Sequence, residues 1–317
     1  MLKIGVVGIG HMGRYHVNIL SLIQKCELTA VCDVNAEAVK KISDAYSIKG
    51  YTDYNEFLEQ VDAVIVAVPT NLHFQFASQA LERGKHVLVE KPITENIPDA
   101  EKLIEIAEKK DLYLQVGHVE RFNAAVQELE HIIKTPYLIQ AQRLGPRSRI
   151  MDVGVVLDLM IHDVDIILAI AGAPVREINA YGKKIYSNYE DVANVSLLFD
   201  NGVIANIAAS RVTDNKLRTL SISQEGSFIL LDYATQDITI FRQPHTEYLV
   251  MREEIKYTQE SIVERVFIHK DNALKLELEH FIECVAEGRE PDYNSEADLG
   301  ALKLAKEITK RIYENGI

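Results

Sequence analysis

The side chains best suited to chemistry stand in the stretch Asp152–Ala171, where Asp158, His162 and Asp165 are spaced i, i+4, i+7. On a helix that spacing puts all three on one face. Leu157, Leu159, Met160, Ile161, Ile166, Ile167 and Leu168 surround them, so the polar stripe belongs to an otherwise apolar, largely buried helix. Burying such a stripe without a partner or ligand is costly. An imidazole beside a carboxylate suits proton transfer, because its reference pKa of about 6.5 lies close to working pH. The plainer reading is a structural Asp–His hydrogen bond. Gly154 falls on the same face one turn earlier and leaves space for a ligand. Asp152 and Asp163 point elsewhere and read as capping or surface residues. Two carboxylates and a histidine can ligate a metal, but no HExxH or Cys/His set supports one, and none is expected.

A second group lies at the other end of the sequence. Gly8-Ile9-Gly10-His11-Met12-Gly13 is a GxGxxG directly after a strand-like run and before a helix-like one. The first glycine makes the tight turn, the second lets the backbone approach a pyrophosphate, and the third lets helix and strand pack closely. The helix N-terminus then offers its amides to the anion. Asp33 closes the next strand, twenty residues after Gly13, where its carboxylate can accept from ribose hydroxyls. A base beside it would suit a 2′-phosphate, but Val34 and Asn35 follow, so NAD is expected rather than NADP.

The third group is Glu90-Lys91-Pro92, at the carboxyl end of an apolar strand. In open α/β sheets the ligand crevice lies outside those carboxyl ends. A lysine there can reach both nicotinamide and substrate; on position alone an ordinary charged loop is an equal reading.

These residues need a scaffold, and the hydrophobic pattern supplies one. Strand-like runs at Leu2–Val7, Glu27–Asp33, Val61–Pro69, His86–Lys91 and Leu112–Val119, with a short one near Ile48–Tyr51, alternate with helix-like Met12–Gln24, Ala36–Ala45, His73–Arg83 and Pro98–Lys110. Several strands are apolar on both faces, as parallel strands covered on both sides are. The pattern predicts an α/β Rossmann domain, residues 1–120, with a doubly wound parallel sheet. From Glu120 the texture changes. A helix at Arg121–Ile133, a strand at Tyr137–Leu144 and the helix Gly154–Ile170 precede strand-like Val175–Tyr186, Asp191–Phe199, Val203–Arg211, Leu217–Ser223, Ser227–Tyr233 and Gln236–Arg242. Asp200-Asn201-Gly202 and Gln224-Glu225-Gly226 are turn signals between neighbours, so the strands pair antiparallel. Helices near Asn272–Glu287 and Glu296–Tyr313 close an α+β second domain, residues 121–317, with a mostly antiparallel open sheet.

The bulk composition narrows the function. The chain carries 34 basic and 47 acidic side chains, a net charge of −13, which argues against nucleic acid and anionic membranes as partners. Three cysteines without a CxxC pair fit a reducing cytoplasm. No apolar run reaches membrane-span length, and, with no basic n-region or small-residue cleavage site before the first strand, no signal peptide is expected.

GVVGIGHMGRYH, AVPTNLH, VEKP and GVVLDLMIHDVDII, in that order, resemble the glucose–fructose oxidoreductase/inositol dehydrogenase (Gfo/Idh/MocA) family over essentially the whole chain. The resemblance implies NAD-dependent hydride transfer from a secondary hydroxyl of a sugar or cyclitol. It also implies a catalytic trio of Lys91, Asp158 and His162, and a homodimer or homotetramer built through the second sheet. It adds Val68, Pro69, Thr70, Asn71, His73, Glu90 and Lys91 to the cofactor-binding set of Gly8, Gly10, His11, Met12, Gly13 and Asp33. GHVERFN with GPRSRIMDVGVVLDLMIHDVD is similar to the subgroup that oxidises UDP-N-acetylglucosamine at the sugar 3-position. Arg147 and Arg149, in the short basic stretch Gly145–Arg149, could then pair with a diphosphate, with Arg121 as a third donor and Asp165 in the substrate-binding set; solvated loop charges or inter-domain salt bridges are an equal reading of these arginines. Many members carry three glycines before the DxxxH helix, whereas Asp152-Val153-Gly154 stands here. A free-sugar or inositol dehydrogenase, an NAD-dependent glycoside hydrolase and a non-catalytic dinucleotide sensor are the other readings.

Overall fold

The computed structural model describes residues 1–147, 153–242, 262–289 and 291–317. Arg149 and Asp152 lie outside them. The chain divides into two compact units, residues 1–122 with 271–304, and residues 123–270 with 305–317.

In the first unit, β1 (Leu2–Val7), β2 (Cys26–Cys32), β3 (Lys49–Tyr51), β4 (Ala63–Val66), β5 (His86–Glu90) and β6 (Leu114–Gly117) form one parallel sheet in the order β3-β2-β1-β4-β5-β6. The strand order reverses beside β1, and that reversal opens the crevice a dinucleotide uses. Helices α1 (His11–Leu20), α2 (Ala36–Tyr46), α4 (His73–Glu82) and α5 (Ile97–Lys109) alternate with the strands, together with a short α3 (Tyr54–Leu58) that the hydrophobic pattern did not signal. Asp53 starts α3 by accepting from the amides of Asn55 and Glu56.

One core component comes from far along the chain. Ile4, Val6, Ile65 and Leu88 of the sheet and Val17 and Leu20 of α1 pack with Leu278, Phe281 and Ile282. The last three belong to a helix, Ala273–Glu287, that the sequence pattern assigned to the second domain. Its apolar face is buried here, each large side chain contributing about 1.5–3 kcal/mol.

The second unit holds α6 (Ala124–Ile132), β7 (Pro136–Leu144), α7 (Ile161–Ala171), β8 (Val175–Lys183), β9 (Val192–Phe199), β10 (Ile204–Ser210), β11 (Leu217–Gln224), β12 (Ser227–Asp232), β13 (Asp237–Arg242) and β14 (Ile262–Arg265). With the Ala273–Glu287 helix as α8, the final helix α9 (Ser295–Glu314) runs from the first unit into the second. The sheet order is β14-β13-β12-β11-β7-β10-β9-β8. Its pairings are antiparallel except β7 with β10, because β7 is inserted between the hairpins β9–β10 and β11–β12.

Two boundaries differ from expectation for visible reasons. The strand expected to run to Tyr186 ends at Lys183, because Asp191 Oδ2 accepts from the amides of Ile185, Tyr186 and Ser187 and pulls the chain out of the sheet. The helix expected from Arg121 begins instead at Ala124: a 3-10 turn covers Val119–Phe122, and the Asn123 side chain accepts from Ala125 N as the cap. No helix among the described residues is long and apolar enough to cross a membrane.

Candidate active site

The glycines after β1 have three different surroundings. Gly8 has φ +83°, and a Cβ there would lie 2.6 Å from the Ala67 carbonyl oxygen. A Cβ on Gly13 would lie 1.9 Å from the Gly8 oxygen, so helix and loop are as close as backbones come. Gly10 has nothing within 4 Å of its Cβ position. The middle glycine therefore faces an open cradle, which a side chain would fill. α1 begins at His11 with no side-chain cap and no acidic residue in its first turn. Its first amides are left for an anion, so the loop fits the pyrophosphate of a dinucleotide. His11 is exposed, its ring edge-on to Tyr15, and Met12 is partly buried.

Asp33 is held in place by the loop it serves. Its Oδ2 accepts from Ile9 N at 2.9 Å and its Oδ1 from Asn35 N at 2.9 Å. Each oxygen keeps lone-pair capacity for a ribose hydroxyl. Its neighbour Val34 is 91% exposed, so no base beside the carboxylate offers a counter-charge to a 2′-phosphate.

Val68, Pro69, Thr70 and Asn71 follow β4 and run into a 3-10 turn, Thr70–Leu72, partly or fully exposed. His73 differs from the rest of that segment. It is buried, with Nδ1 2.8 Å from the Pro92 oxygen and Nε2 3.0 Å from the Val68 oxygen. Burial holds its pKa below the usual imidazole value, although both carbonyls favour the charged ring. The buried ring donates to one of these two carbonyls and lies against both. It bolts the segment after β4 to the segment after β5.

Glu90 is likewise turned inward rather than toward a cofactor. Its Oε1 meets Nε2 of the fully buried His16 at 2.7 Å. Burial pushes this carboxyl up, but the hydrogen bond and charge of His16, followed by Lys91, more than offset it and hold it below the ordinary value. Lys91 follows, half-buried, at the carboxyl end of β5. The pair therefore fixes the backbone from which Lys91 projects. His16 was not singled out from sequence, although it shares the buried face of α1 with Gly13, Val17 and Leu20.

Arg121 also departs from expectation. It is buried, its Nη1 2.7 Å from Asp298 Oδ1 and its guanidinium 4.7 Å over the Tyr293 ring, whose hydroxyl donates to the Arg121 carbonyl. These partners hold it within the first unit, which removes it from the set available to a diphosphate.

In the second unit, the chain enters the DxxxH helix through a π-helical turn, Val156–Met160, before α7. Such turns are rare and frequent at functional sites. Asp158 sits within the π turn and His162 near the start of α7. Asp158 and Asp165 are buried, whereas His162 keeps part of its surface exposed. Asp163 is not a surface residue: it is fully buried and takes a fork from Arg143, Nε to Oδ2 at 2.8 Å and Nη2 to Oδ1 at 3.0 Å. The Arg143 guanidinium stands 4.9 Å over the Tyr233 ring. No local pattern marks Asp163 for that role, because its partner lies on β7. The space beside Gly154 is also taken: a Cβ there would lie 1.8 Å from Glu190 Oε1. That glycine makes room for a protein carboxylate, not for a ligand. Arg147 is exposed, 5.5 Å over the Tyr186 ring.

Residues 2–118 match the oxidoreductase family with an NAD-binding Rossmann fold, and residues 134–229 match the Gfo/Idh/MocA C-terminal domain. A UDP-N-acetylglucosamine 3-dehydrogenase of Acidithiobacillus ferrooxidans is 33% identical over 76% of this chain and 77% of its own. A myo-inositol 2-dehydrogenase of Thermotoga maritima is 30% identical over 66% of this chain and 69% of its own. A solved structure of the Acidithiobacillus ferrooxidans enzyme superposes with a TM-score of 0.89 at 30% identity, covering 99% of this chain and 98% of that one. The chain belongs to the Gfo/Idh/MocA oxidoreductase family and is an NAD-dependent dehydrogenase acting on CH–OH groups.

Proposed function

We propose that this dehydrogenase oxidises the 3-hydroxyl of the N-acetylglucosamine unit of a UDP-sugar. The observation that carries the reading is the likeness to the Acidithiobacillus ferrooxidans enzyme over nearly the full length of both chains. Lys91, Asp158 and His162 form the catalytic trio. NAD, held by the glycine loop and Asp33, would supply the hydride acceptor when bound. His162 takes the hydroxyl proton, Asp158 orients the ring and stabilises the imidazolium, and Lys91 donates a hydrogen bond to the oxygen as negative charge develops. With Lys91 as the base the roles exchange, and the pH profiles of the single variants separate the two assignments.

Asp165 lines the sugar in this reading. Arg147 is the diphosphate donor supported by its exposure, and its planar fork suits phosphate oxygens. Arg149, outside the described residues, is proposed as the second. The test is NADH formation with UDP-N-acetylglucosamine, free N-acetylglucosamine and myo-inositol. Turnover confined to the nucleotide sugar, with a KM raised at least ~10-fold by Arg147→Ala, supports the reading. Equal use of the free sugar or the cyclitol removes the diphosphate role and favours the inositol-type reaction, which the Thermotoga maritima relative keeps open.

The protein functions as a homo-oligomer through the second sheet in this proposal. Along β12, Phe228 and Leu230 are exposed while Ile229 and Leu231 are buried, and Tyr137, Ile204 and Leu217 add exposed apolar side chains on neighbouring strands. Exposed apolar side chains on four neighbouring strands support an interaction surface on this sheet. Light scattering checks the mass, and a monomer at micromolar concentration would exclude the assembly.

A further inference from the structure

The helix that carries Asp158 and His162 lacks a cap of its own. The residue at its N-cap position, Val155, accepts from none of its first amides through a side chain. Helix N-termini leave such amides in need of acceptors. They find them on a residue far along the chain, in the turn before β9. Val155 N donates to the Glu190 carbonyl at 2.8 Å, and Val156 N donates to Glu190 Oε1 at 3.3 Å. The other carboxylate oxygen, Oε2, accepts from the Tyr313 hydroxyl of α9 at 3.3 Å. Glu190 is 1% exposed.

The fit depends on Gly154. A Cβ at that position would stand 1.8 Å from Oε1, 2.1 Å from Cδ and 2.2 Å from Oε2 of Glu190. Any side chain there expels the carboxylate. The turn is made rigid by the next residue: Asp191 Oδ1 accepts from Arg211 Nε at 2.8 Å while Oδ2 takes three amides of the preceding loop. Arg211 in turn donates from Nη1 to the Val153 carbonyl at 2.9 Å. Val155 and Val156 are therefore gripped by Glu190, and Val153 by the Arg211 that Asp191 holds, at the entry to the π turn that contains Asp158.

We propose that Glu190 is a positioning residue for the dehydrogenation: its carbonyl and carboxylate clamp the start of the DxxxH helix and so fix where Asp158 and His162 present their side chains. The inference rests on the catalytic assignment of that helix. It adds a cause for the buried carboxylate and for the glycine, neither of which touches the reacting atoms. Small misplacements of a catalytic group lower rate steeply, on the order of 100-fold for about 1 Å.

The test uses the full-length enzyme. Glu190→Ala should lower kcat about 10–100-fold with the KM for NAD unchanged, and should speed hydrogen exchange at the amides of Val155–Met160. Glu190→Gln keeps a carbonyl oxygen for Val156 N and should retain kcat within about threefold. Gly154→Ala should reproduce the Glu190→Ala loss, and the double variant should lose no more than either single one, because both remove the same clamp. If Glu190→Ala fails to fold, Glu190→Asp carries the test: its shorter reach should lower kcat and speed exchange in the same segment, and wild-type kcat in that variant overturns the proposal. A folded Glu190→Ala enzyme with wild-type kcat beside an inactive His162→Ala also overturns it. Wild-type kcat in both variants sinks the catalytic reading of the helix itself. Faster exchange together with lowered kcat upholds the clamp.

Discussion

The loop after β1 and the entry to the DxxxH helix both present backbone amides, and both depend on a glycine, but they are built in opposite ways. At the loop, Gly10 faces open space and the amides of α1 are left uncapped for a ligand. At the helix, Gly154 faces Glu190, and the amides are already taken by that residue. Cofactor affinity in the first region therefore depends on groups kept unsatisfied. Catalytic geometry in the second depends on amides held by a distant partner.

Substitutions can break or sharpen that contrast. The largest expected effect is at Lys91: Lys91→Ala should lower kcat at least ~100-fold, and a folded variant with near-normal kcat would show that the strand end binds without taking part in chemistry. Next is the second region's buried fork. Arg143→Ala leaves Asp163 charged and buried, and should cost about 3–5 kcal/mol in denaturant unfolding. A loss below about 1 kcal/mol would mean that Asp163 is solvated. In the open region the effect should fall on preference rather than stability. Asp33→Ser with Val34→Arg should move the kcat/KM ratio toward NADP at least ~10-fold, and equal use of NADP by the unaltered enzyme would contradict the role of Asp33.

The smallest effect concerns Glu277 in the first unit. It is fully buried, and neither carboxylate oxygen has a hydrogen-bond partner among the described residues. Burial first, and Glu90 second, push its pKa well above the ordinary 4.5. The folded protein thus keeps a proton that the unfolded chain releases above that value. Its stabilising share is complete below the ordinary value and is lost as pH rises toward the folded one. Glu277→Gln should gain about 1–2 kcal/mol relative to wild type near pH 8 and little near pH 5. A difference that does not grow with pH would mean that the folded carboxyl is ionised.

The same contrast explains what the sequence revealed. The dinucleotide loop was legible because every requirement is local: turn, approach and packing all lie within Gly8–Gly13, and Asp33 sits on the adjacent strand. The parallel sheet was legible for a related reason, since its strands are apolar on both faces. The surroundings of the second site were not. Asp163 has its partner on β7, Gly154 has its reason at Glu190, and Arg121 meets Asp298 and Tyr293 far along the chain. Helical periodicity assigns a residue to a face but does not say what covers that face. The apolar stripe of α8 was visible as a helix, yet nothing in its spacing told which core would bury it.

The central claim is that the helix carrying Asp158 and His162 performs the proton transfer while the glycine loop binds the cofactor. The most direct measurement is steady-state kinetics of a folded His162→Ala variant, with NAD binding followed in parallel by cofactor fluorescence. We predict turnover at least ~100-fold below wild type with NAD affinity unchanged. Near-normal turnover in that variant would contradict the account.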